Sequence, residues 1–129
     1  MRLAVTSSDP VSERMLAAPG AEPPIDLVHL ARATDGDEAL EAELIAMFAR
    51  QSEKLGQRLR LPTLARQTRA DVAHRLRGSA LAIGAFAVAE TAGRLESALE
   101  GDGDEPESEL AALEAALDAA RAAIDELTD

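Results

Sequence analysis

Apolar residues recur at intervals of three and four along most of this chain, which is the period of amphipathic helices. The pattern predicts a short helix in "IDLVHLARA", which starts at residue 25 and in which Asp26 can cap the first turn. No alternating strand pattern competes, so the fold class is predicted to be all-α. Four long helices are expected over about residues 37–59, 63–83, 86–100 and 106–127.

The breaks between these helices carry the usual cap and turn signals. Asp35 or Asp37 can cap the second helix. Pro62 ends that helix and suits the first turn of the third, while Gly84 is a plausible end of the third. Because the connections are short, neighbouring helices are expected to be antiparallel. The prediction is an up-down antiparallel four-helix bundle with a short extra N-terminal helix, forming one domain over residues 25–129.

Residues 1–24 contain Ser, Pro and Gly without a sustained period, and they close with "APGAEPP". This composition predicts an irregular or mobile N-terminal segment. In the second helix, over about residues 37–59, the pattern places most apolar residues on one stripe. That stripe is predicted to consist of Leu40, Leu44, Met47, Phe48, Leu55 and Leu59.

Composition narrows the class of protein. The 129 residues include no Cys, which excludes a disulfide scaffold and thiol chemistry. No apolar run is long enough for a signal peptide or a membrane span, so a cytoplasmic protein is expected. The formal net charge of −11 makes nucleic acid and anionic membranes unexpected partners.

The charge is unevenly distributed along the chain. The segment from Arg58 to Arg77 contains six arginines and a single acid, Asp71. Two interpretations remain open at this point. The residues could form solvated helix faces of different composition, or they could form a local basic patch around His74.

His74, in the stretch "HRLRGSALAIG", is predicted to face solvent. The apolar face of the third helix centres on Leu76, and at about 100° per residue both His74 and Gly78 lie about 160° from that centre. A mid-helix glycine costs about 1 kcal/mol relative to alanine, which suggests that a partner approaches closely at Gly78. The same exposed strip is predicted to contain Gln67, Asp71 and Leu81, with Arg75 and Arg77 on its flanks.

The chemistry of this strip favours phosphoryl transfer. A neutral imidazole is a good nucleophile near pH 7, because its ordinary pKa is about 6.5, and its bond to phosphorus is labile. His74 could therefore accept a phosphoryl group and release it again. Arg77, one helical turn along, could offset the charge of that group.

The stretch resembles the signature of the histidine phosphotransfer (HPt) domain. That signature has Leu two positions after the His, then Lys or Arg, Gly, Ser and a small residue, and Gly ten positions after the His. The matching residues are His74, Leu76, Arg77, Gly78, Ser79, Ala80 and Gly84. The flanking "EALEAELIAMFARQSEKL" and "AVAETAGRLESAL" resemble the neighbouring helices of the family, and the resemblance covers residues from about 26 to 127.

The resemblance implies a monomeric helical bundle without catalytic activity of its own, in which His74 is the phosphoacceptor. It implies that Arg77, where Lys is commoner, lies near the phosphate, and that Ser79 lies on the inner side. The partners would be receiver domains of response regulators or hybrid histidine kinases, which supply Mg²⁺; no metal or cofactor is expected here. The expected receiver-docking residues are Gln67, Asp71, Arg75, Gly78 and Leu81, and the structural ones are Leu76, Ser79 and Gly84.

Two other functions remain as alternatives. The dimerisation domain of a sensor kinase also carries a phosphohistidine on a helix, but typically with an acid directly after it and a proline further on. Arg75 and Ser79 occupy those positions here. A degenerate domain of the same fold could instead bind response regulators without carrying phosphate, although the retained His74 and Arg77 argue against it.

Metal sites find little support in the sequence. His29 and His74 are predicted to lie on different helices, and no paired His or Cys spacing is present. The loops "DGDEPESE" and "DGDEALEAE" lack the spacing of an EF-hand and suit helix caps instead. His29 is predicted to be a partly buried packing residue of the short helix.

Overall fold

The computed structural model describes residues 23–128 and shows five helices without a strand in that range. The segment predicted to be irregular or mobile lies almost entirely outside the described residues. The helices are α1 (Leu27–Ala33), α2 (Glu38–Leu59), α3 (Arg66–Ile83), α4 (Phe86–Glu100) and α5 (Glu107–Thr128). The all-helical prediction is therefore confirmed, with the short helix at the N-terminal side of four long ones.

Side-chain caps begin the first two helices, as predicted. The carboxylate of Asp26 accepts a hydrogen bond from the backbone N–H of His29, and that of Asp37 accepts one from the N–H of Leu40. Gly84 ends α3 in the left-handed conformation, with φ of 84°. A Cβ atom there would lie 2.9 Å from the backbone oxygen of Asp26, so α1 approaches this glycine closely.

The start of α3 differs from the prediction. The helix begins at Arg66, not at about residue 63, and Pro62 lies in a turn before it. The N–H of Leu64 bonds to the carbonyl of Leu61, and Ala65 is extended with ψ of 146°. No side chain caps this end. Residues 63–65, which the apolar pattern assigned to the third helix, therefore belong to the turn that follows Pro62.

The four long helices form a closed ring. Each packs against the next in chain order, and α5 closes the ring against α2, while α1 contacts α2 and α3. Leu76, Ala73 and Ala80 of α3 are wholly buried, which confirms the predicted core face of this helix. The architecture agrees with the predicted four-helix bundle.

The predicted stripe of α2 is wrong at two positions. Leu40 and Met47 are 38% and 44% exposed, while Ile45 is buried. On the face of α2 that meets α5, a Cβ atom added to Gly56 would lie 3.3 Å from Cδ1 of Leu117. Met47 lies one turn before the exposed Gln51. Because Leu40 and Met47 are apolar but exposed, the apolar stripe of α2 is wider than the part of the helix that is buried.

Arg69 is buried at the edge of the hydrophobic core, and 2% of its surface is exposed. Its guanidinium donates to both carboxylate oxygens of Glu105, at 2.9 and 2.7 Å, and to the carbonyl of Leu59. The hydrogen bond from Arg69 lowers the pKa of the Glu105 carboxyl below its ordinary value. Arg69 thus connects α3 to the end of α2 and to the loop before α5.

None of the helices in residues 23–128 combines the length and apolar character that crossing a membrane requires.

Candidate functional site

His74 lies in the middle of α3 and points away from the bundle core. Its imidazole is 66% exposed, whereas Leu76 on the opposite face is wholly buried. The predicted outward direction of His74 thus agrees with the structure. The heptad-like spacing of apolar residues in α3 fixes this direction, because burial of one face leaves the other to solvent.

Glu96 of α4 contacts the imidazole of His74. The distance between Nδ1 of His74 and Oε2 of Glu96 is 3.1 Å. An ionised carboxylate can only accept hydrogen bonds, so the proton of a neutral imidazole lies on Nδ1. Nε2 then carries the lone pair and is the nucleophilic nitrogen. Glu96 was not predicted from the sequence, because a contact between residues 22 positions apart on two helices leaves no local pattern.

Arg77 is exposed and lies against α4. A Cβ atom placed on Gly93 would be 3.4 Å from Cδ and 3.5 Å from Nε of Arg77. Within the described part of the chain, Arg77 has no carboxylate partner within 4.0 Å. Its guanidinium can therefore interact with an anion brought to the neighbouring turn of α3.

The predicted docking residues share the exposed side of α3. Nothing outside its own helix lies within 4 Å of the position that a Cβ atom of Gly78 would take, and Leu81 is 42% exposed. Asp71 accepts a hydrogen bond from the side-chain amide of Gln67 at 2.9 Å. Together with exposed Arg75, these residues form a strip that another protein can reach.

A groove between α2 and α3 extends this strip. It has a volume of about 530 Å³, and its lining residues are Gln51, Lys54, Leu55, Arg75, Gly78 and Ser79. The hydroxyl of Ser79 donates to Oε1 of Gln51 at 3.3 Å, so this half-buried residue connects α3 to α2. The docking residues predicted from the sequence all lie on α3, whereas Gln51 and Lys54 of α2 also line this groove.

The arginine-rich run is not one surface patch. Arg69 is buried against Glu105, and Arg66 donates to the backbone carbonyls of Ala98 and Leu99. Arg60 pairs with Glu114. The basic-patch interpretation is therefore wrong for these three arginines, because each is used to join secondary structure elements. The exposed guanidinium groups on the helix of His74 are those of Arg75 and Arg77.

His29 packs against Phe86, as expected for a packing residue. Their rings lie 5.2 Å apart between centroids and meet nearly edge to face, at 77°. His29 is half-buried at the end of the bundle near Gly84. Among residues 23–128 no group of three or more His, Cys, Asp or Glu side chains is arranged to hold a metal ion.

Comparison with known proteins identifies the family of this chain. The family model for the Hpt domain matches residues 43–123, which is more than half of the chain and includes His74 and Glu96. No curated protein and no solved structure matches the chain significantly. Proteins with this domain take part in histidine phosphotransfer within phosphorelays. Because the match to the family model covers more than half of the chain, the chain belongs to the Hpt domain family.

Proposed function

We propose that this protein is a histidine-containing phosphocarrier of a two-component phosphorelay. Nε2 of His74 accepts a phosphoryl group from the aspartate of one receiver domain and passes it to the aspartate of another. The observation that carries the proposal is an imidazole that is 66% exposed and whose Nδ1 is held by Glu96. This arrangement leaves one nitrogen accessible and nucleophilic.

The transfer step needs little from this chain beyond position. The bond between phosphorus and the receiver's aspartate oxygen breaks as a bond forms between phosphorus and Nε2 of His74. The proton on Nδ1 stays in its hydrogen bond, so Glu96 stabilises the positive charge that develops on the ring. In the return step the N–P bond breaks and an aspartate of the second receiver takes the phosphoryl group.

The surroundings of His74 suit a partner-dependent reaction. The described residues around His74 form an open surface and a shallow groove, without the enclosed pocket in which an enzyme excludes water. We therefore propose that the chain is not itself an enzyme. The receiver would bring Mg²⁺ and the acidic pocket, while Arg77 would offset the negative charge of the phosphoryl group on this side.

Docking is proposed to use the exposed strip of α3 and the groove beside it. Gly78 allows close approach one turn from His74, because no atom outside its helix fills the space above it. Arg75 and Lys54 line the groove and give it positive charge on an otherwise acidic protein. An acidic receiver surface would be attracted to this location.

Phosphotransfer from a labelled receiver tests the proposal. The full chain is mixed with a phosphorylated receiver, and the label on it is expected to be acid-labile and base-stable, as an N–P bond requires. His74→Gln is expected to take no label, while His29→Gln serves as the matched control and is labelled normally. Labelling of His74→Gln contradicts the proposal. Binding of receivers without any labelling favours a degenerate interaction module instead.

A further control separates the carrier from a kinase fragment. The contact with Glu96 supplies an acid beside His74 in space, although Arg75 follows it in sequence. Incubation with ATP alone is expected to leave the protein unlabelled, and labelling under that condition would favour the kinase alternative.

A further inference from the structure

Gly93 lies midway along α4 and faces α3 beside the candidate site. The backbone does not require glycine there, since among the described glycines only Gly36 and Gly84 have positive φ. A glycine within a helix destabilises it relative to alanine, because its backbone loses more freedom on folding. The reason for a glycine at this position must therefore be the neighbouring group that packs against it.

The side chain of Arg77 packs against Gly93. The heavy atoms that a Cβ atom of Gly93 would meet within 4 Å outside α4 are Cδ and Nε of Arg77, at 3.4 and 3.5 Å. Other glycines inside helices differ in this respect. Gly56 faces the core residue Leu117, and Gly78 faces open space. Gly93 is thus the glycine over which a side chain of the candidate site passes.

Three acids line the same shallow depression between α3 and α4 as Arg77 and Gly93, and none of them pairs with Arg77. They are Glu90, Glu96 and Glu100, with Arg94 beside them. Glu90 pairs with Arg94 at 2.8 Å, and Glu96 contacts His74 at 3.1 Å. The charge of Arg77 is therefore held close to the site without a carboxylate partner among the residues that the structure describes.

We infer that Gly93 is a positioning residue for phosphotransfer. It lets the stem of Arg77 lie along the backbone of α4, which holds the guanidinium one turn from His74, where a phosphoryl group on Nε2 would be. This inference rests on the proposed function. Alanine fits, because its Cβ atom would make an ordinary contact at 3.4 Å. A longer side chain occupies the place of the arginine stem and displaces it.

The test compares Gly93→Leu with Gly93→Ala, Arg77→Ala and the double variant Arg77→Ala/Gly93→Leu. Phosphoramidate is the donor, so receiver docking plays no part: its N–P bond breaks, ammonia leaves, and phosphorus bonds to Nε2 of His74. Gly93→Ala is expected to react at the wild-type rate. Gly93→Leu and Arg77→Ala are each expected to react about tenfold more slowly, the loss of one charge-assisted hydrogen bond.

The double variant and the melting temperature show whether Gly93→Leu slows the reaction by displacing Arg77 or by destabilising the fold. Leu and Ala both favour helix over Gly, so both Gly93 variants are expected to melt at or above the wild-type temperature. The double variant is expected to be no slower than Arg77→Ala, because Gly93 acts through Arg77. A Gly93→Leu protein at the wild-type rate, or a double variant clearly slower than Arg77→Ala, overturns the inference.

An NMR signal distinguishes failure of this inference from failure of the proposed function. The Nε–H resonance of Arg77 is expected to shift in Gly93→Leu and to change little in Gly93→Ala, and an unchanged resonance in Gly93→Leu overturns the positioning role. A wild-type protein that takes no phosphoryl group from phosphoramidate or any receiver overturns the proposed function, whatever this resonance shows.

Discussion

A histidine on an exposed helix has two ring nitrogens that compete for an incoming phosphoryl group, and Glu96 makes them different. Its carboxylate accepts a hydrogen bond from the N–H of Nδ1, with 3.1 Å between Nδ1 and Oε2, so the lone pair is on Nε2. The contact also limits rotation of the ring on a face where core packing cannot hold it. One side chain from α4 therefore fixes both the tautomer and the orientation of His74.

Removal of this carboxylate should slow phosphotransfer without unfolding the protein. Glu96→Ala is expected to accept the phosphoryl group about ten- to a hundredfold more slowly, because a charge-assisted hydrogen bond is worth about 1.5–3 kcal/mol. The ¹⁵N shifts of His74 should show a smaller fraction of the Nδ1–H tautomer. Both are measured on the full chain, at neutral pH.

Glu90→Ala is the matched control for this prediction. Glu90 is an exposed glutamate of the same helix, but it pairs with Arg94 and does not contact His74. Its removal is expected to leave both the transfer rate and the ¹⁵N shifts unchanged. Equal effects of the two substitutions would show that Glu96 acts only through the net charge of α4.

At the scale of elements, α3 has two faces with separate tasks. One face buries Leu76, Ala73 and Ala80, and the other presents His74 and Gly78. α4 orients the exposed face through Glu96 and Gly93. At its N-terminal half α3 is fastened by Arg69, whose bonds reach both Leu59 and Glu105. The site is precise because it is built on helices whose positions these contacts determine.

The ion pair of Arg69 is expected to stabilise the bundle. Glu105→Gln should lower the free energy of unfolding by about 2 kcal/mol, because the buried guanidinium keeps its bond to Leu59 but loses its carboxylate. Chemical denaturation at pH 7 measures this difference. Asp104→Asn, an exposed acid of the same loop, is the control and should change little.

The same pair predicts a pH dependence. The pKa of Glu105 is lower in the folded protein than its ordinary value of 4.5, mainly because Arg69 donates a hydrogen bond to it. Its contribution is therefore fully present above that value and is lost as the pH falls through the folded pKa. The stability difference between wild type and Glu105→Gln should shrink below about pH 4.5. A difference that is constant from pH 7 to pH 3 would contradict this assignment.

Sequence periodicity predicted the helices well but not their connections by side chains. The bounds of α4 followed from local signals, which one helix carries alone, and Asp37, the cap of α2, was one of the two candidates that such signals offered. Arg69 could not be identified in this way. An arginine within a basic run normally predicts a solvated surface, and its partner Glu105 is 36 residues away in a loop. Such contacts depend on how the helices pack, which local pattern does not determine.

At the scale of the whole molecule, the docking surface combines two helices. The exposed direction of His74 was predictable from one helix, because the period of α3 assigns its faces. The groove was not, since it requires the antiparallel alignment that places Gln51 beside Ser79. The exposure of Met47 has the same origin, because α2 turns part of its apolar stripe toward this side of the bundle.

Close approach at Gly78 gives a prediction for the complex. Gly78→Leu is expected to abolish receiver binding, because the new side chain occupies the space that a partner needs one turn from His74. The helix itself should be at least as stable, since leucine favours helix over glycine. Calorimetric titration with a receiver and thermal melting measure the two effects.

Gly78→Ala is the control for the docking prediction. Nothing outside its helix lies within 4 Å of the added methyl group, so the bundle should gain about 1 kcal/mol and retain most of its affinity. Wild-type affinity in Gly78→Leu would place the docking surface elsewhere on the molecule.

The position of the phosphoryl group on the imidazole tests the central claim most directly. The ¹⁵N-labelled protein is phosphorylated by a receiver, and the coupling between ³¹P and the ring nitrogens of His74 is measured by NMR. Phosphorus is expected on Nε2, with the proton retained on Nδ1 beside Glu96. Phosphorus on Nδ1, or on any residue other than His74, would contradict it.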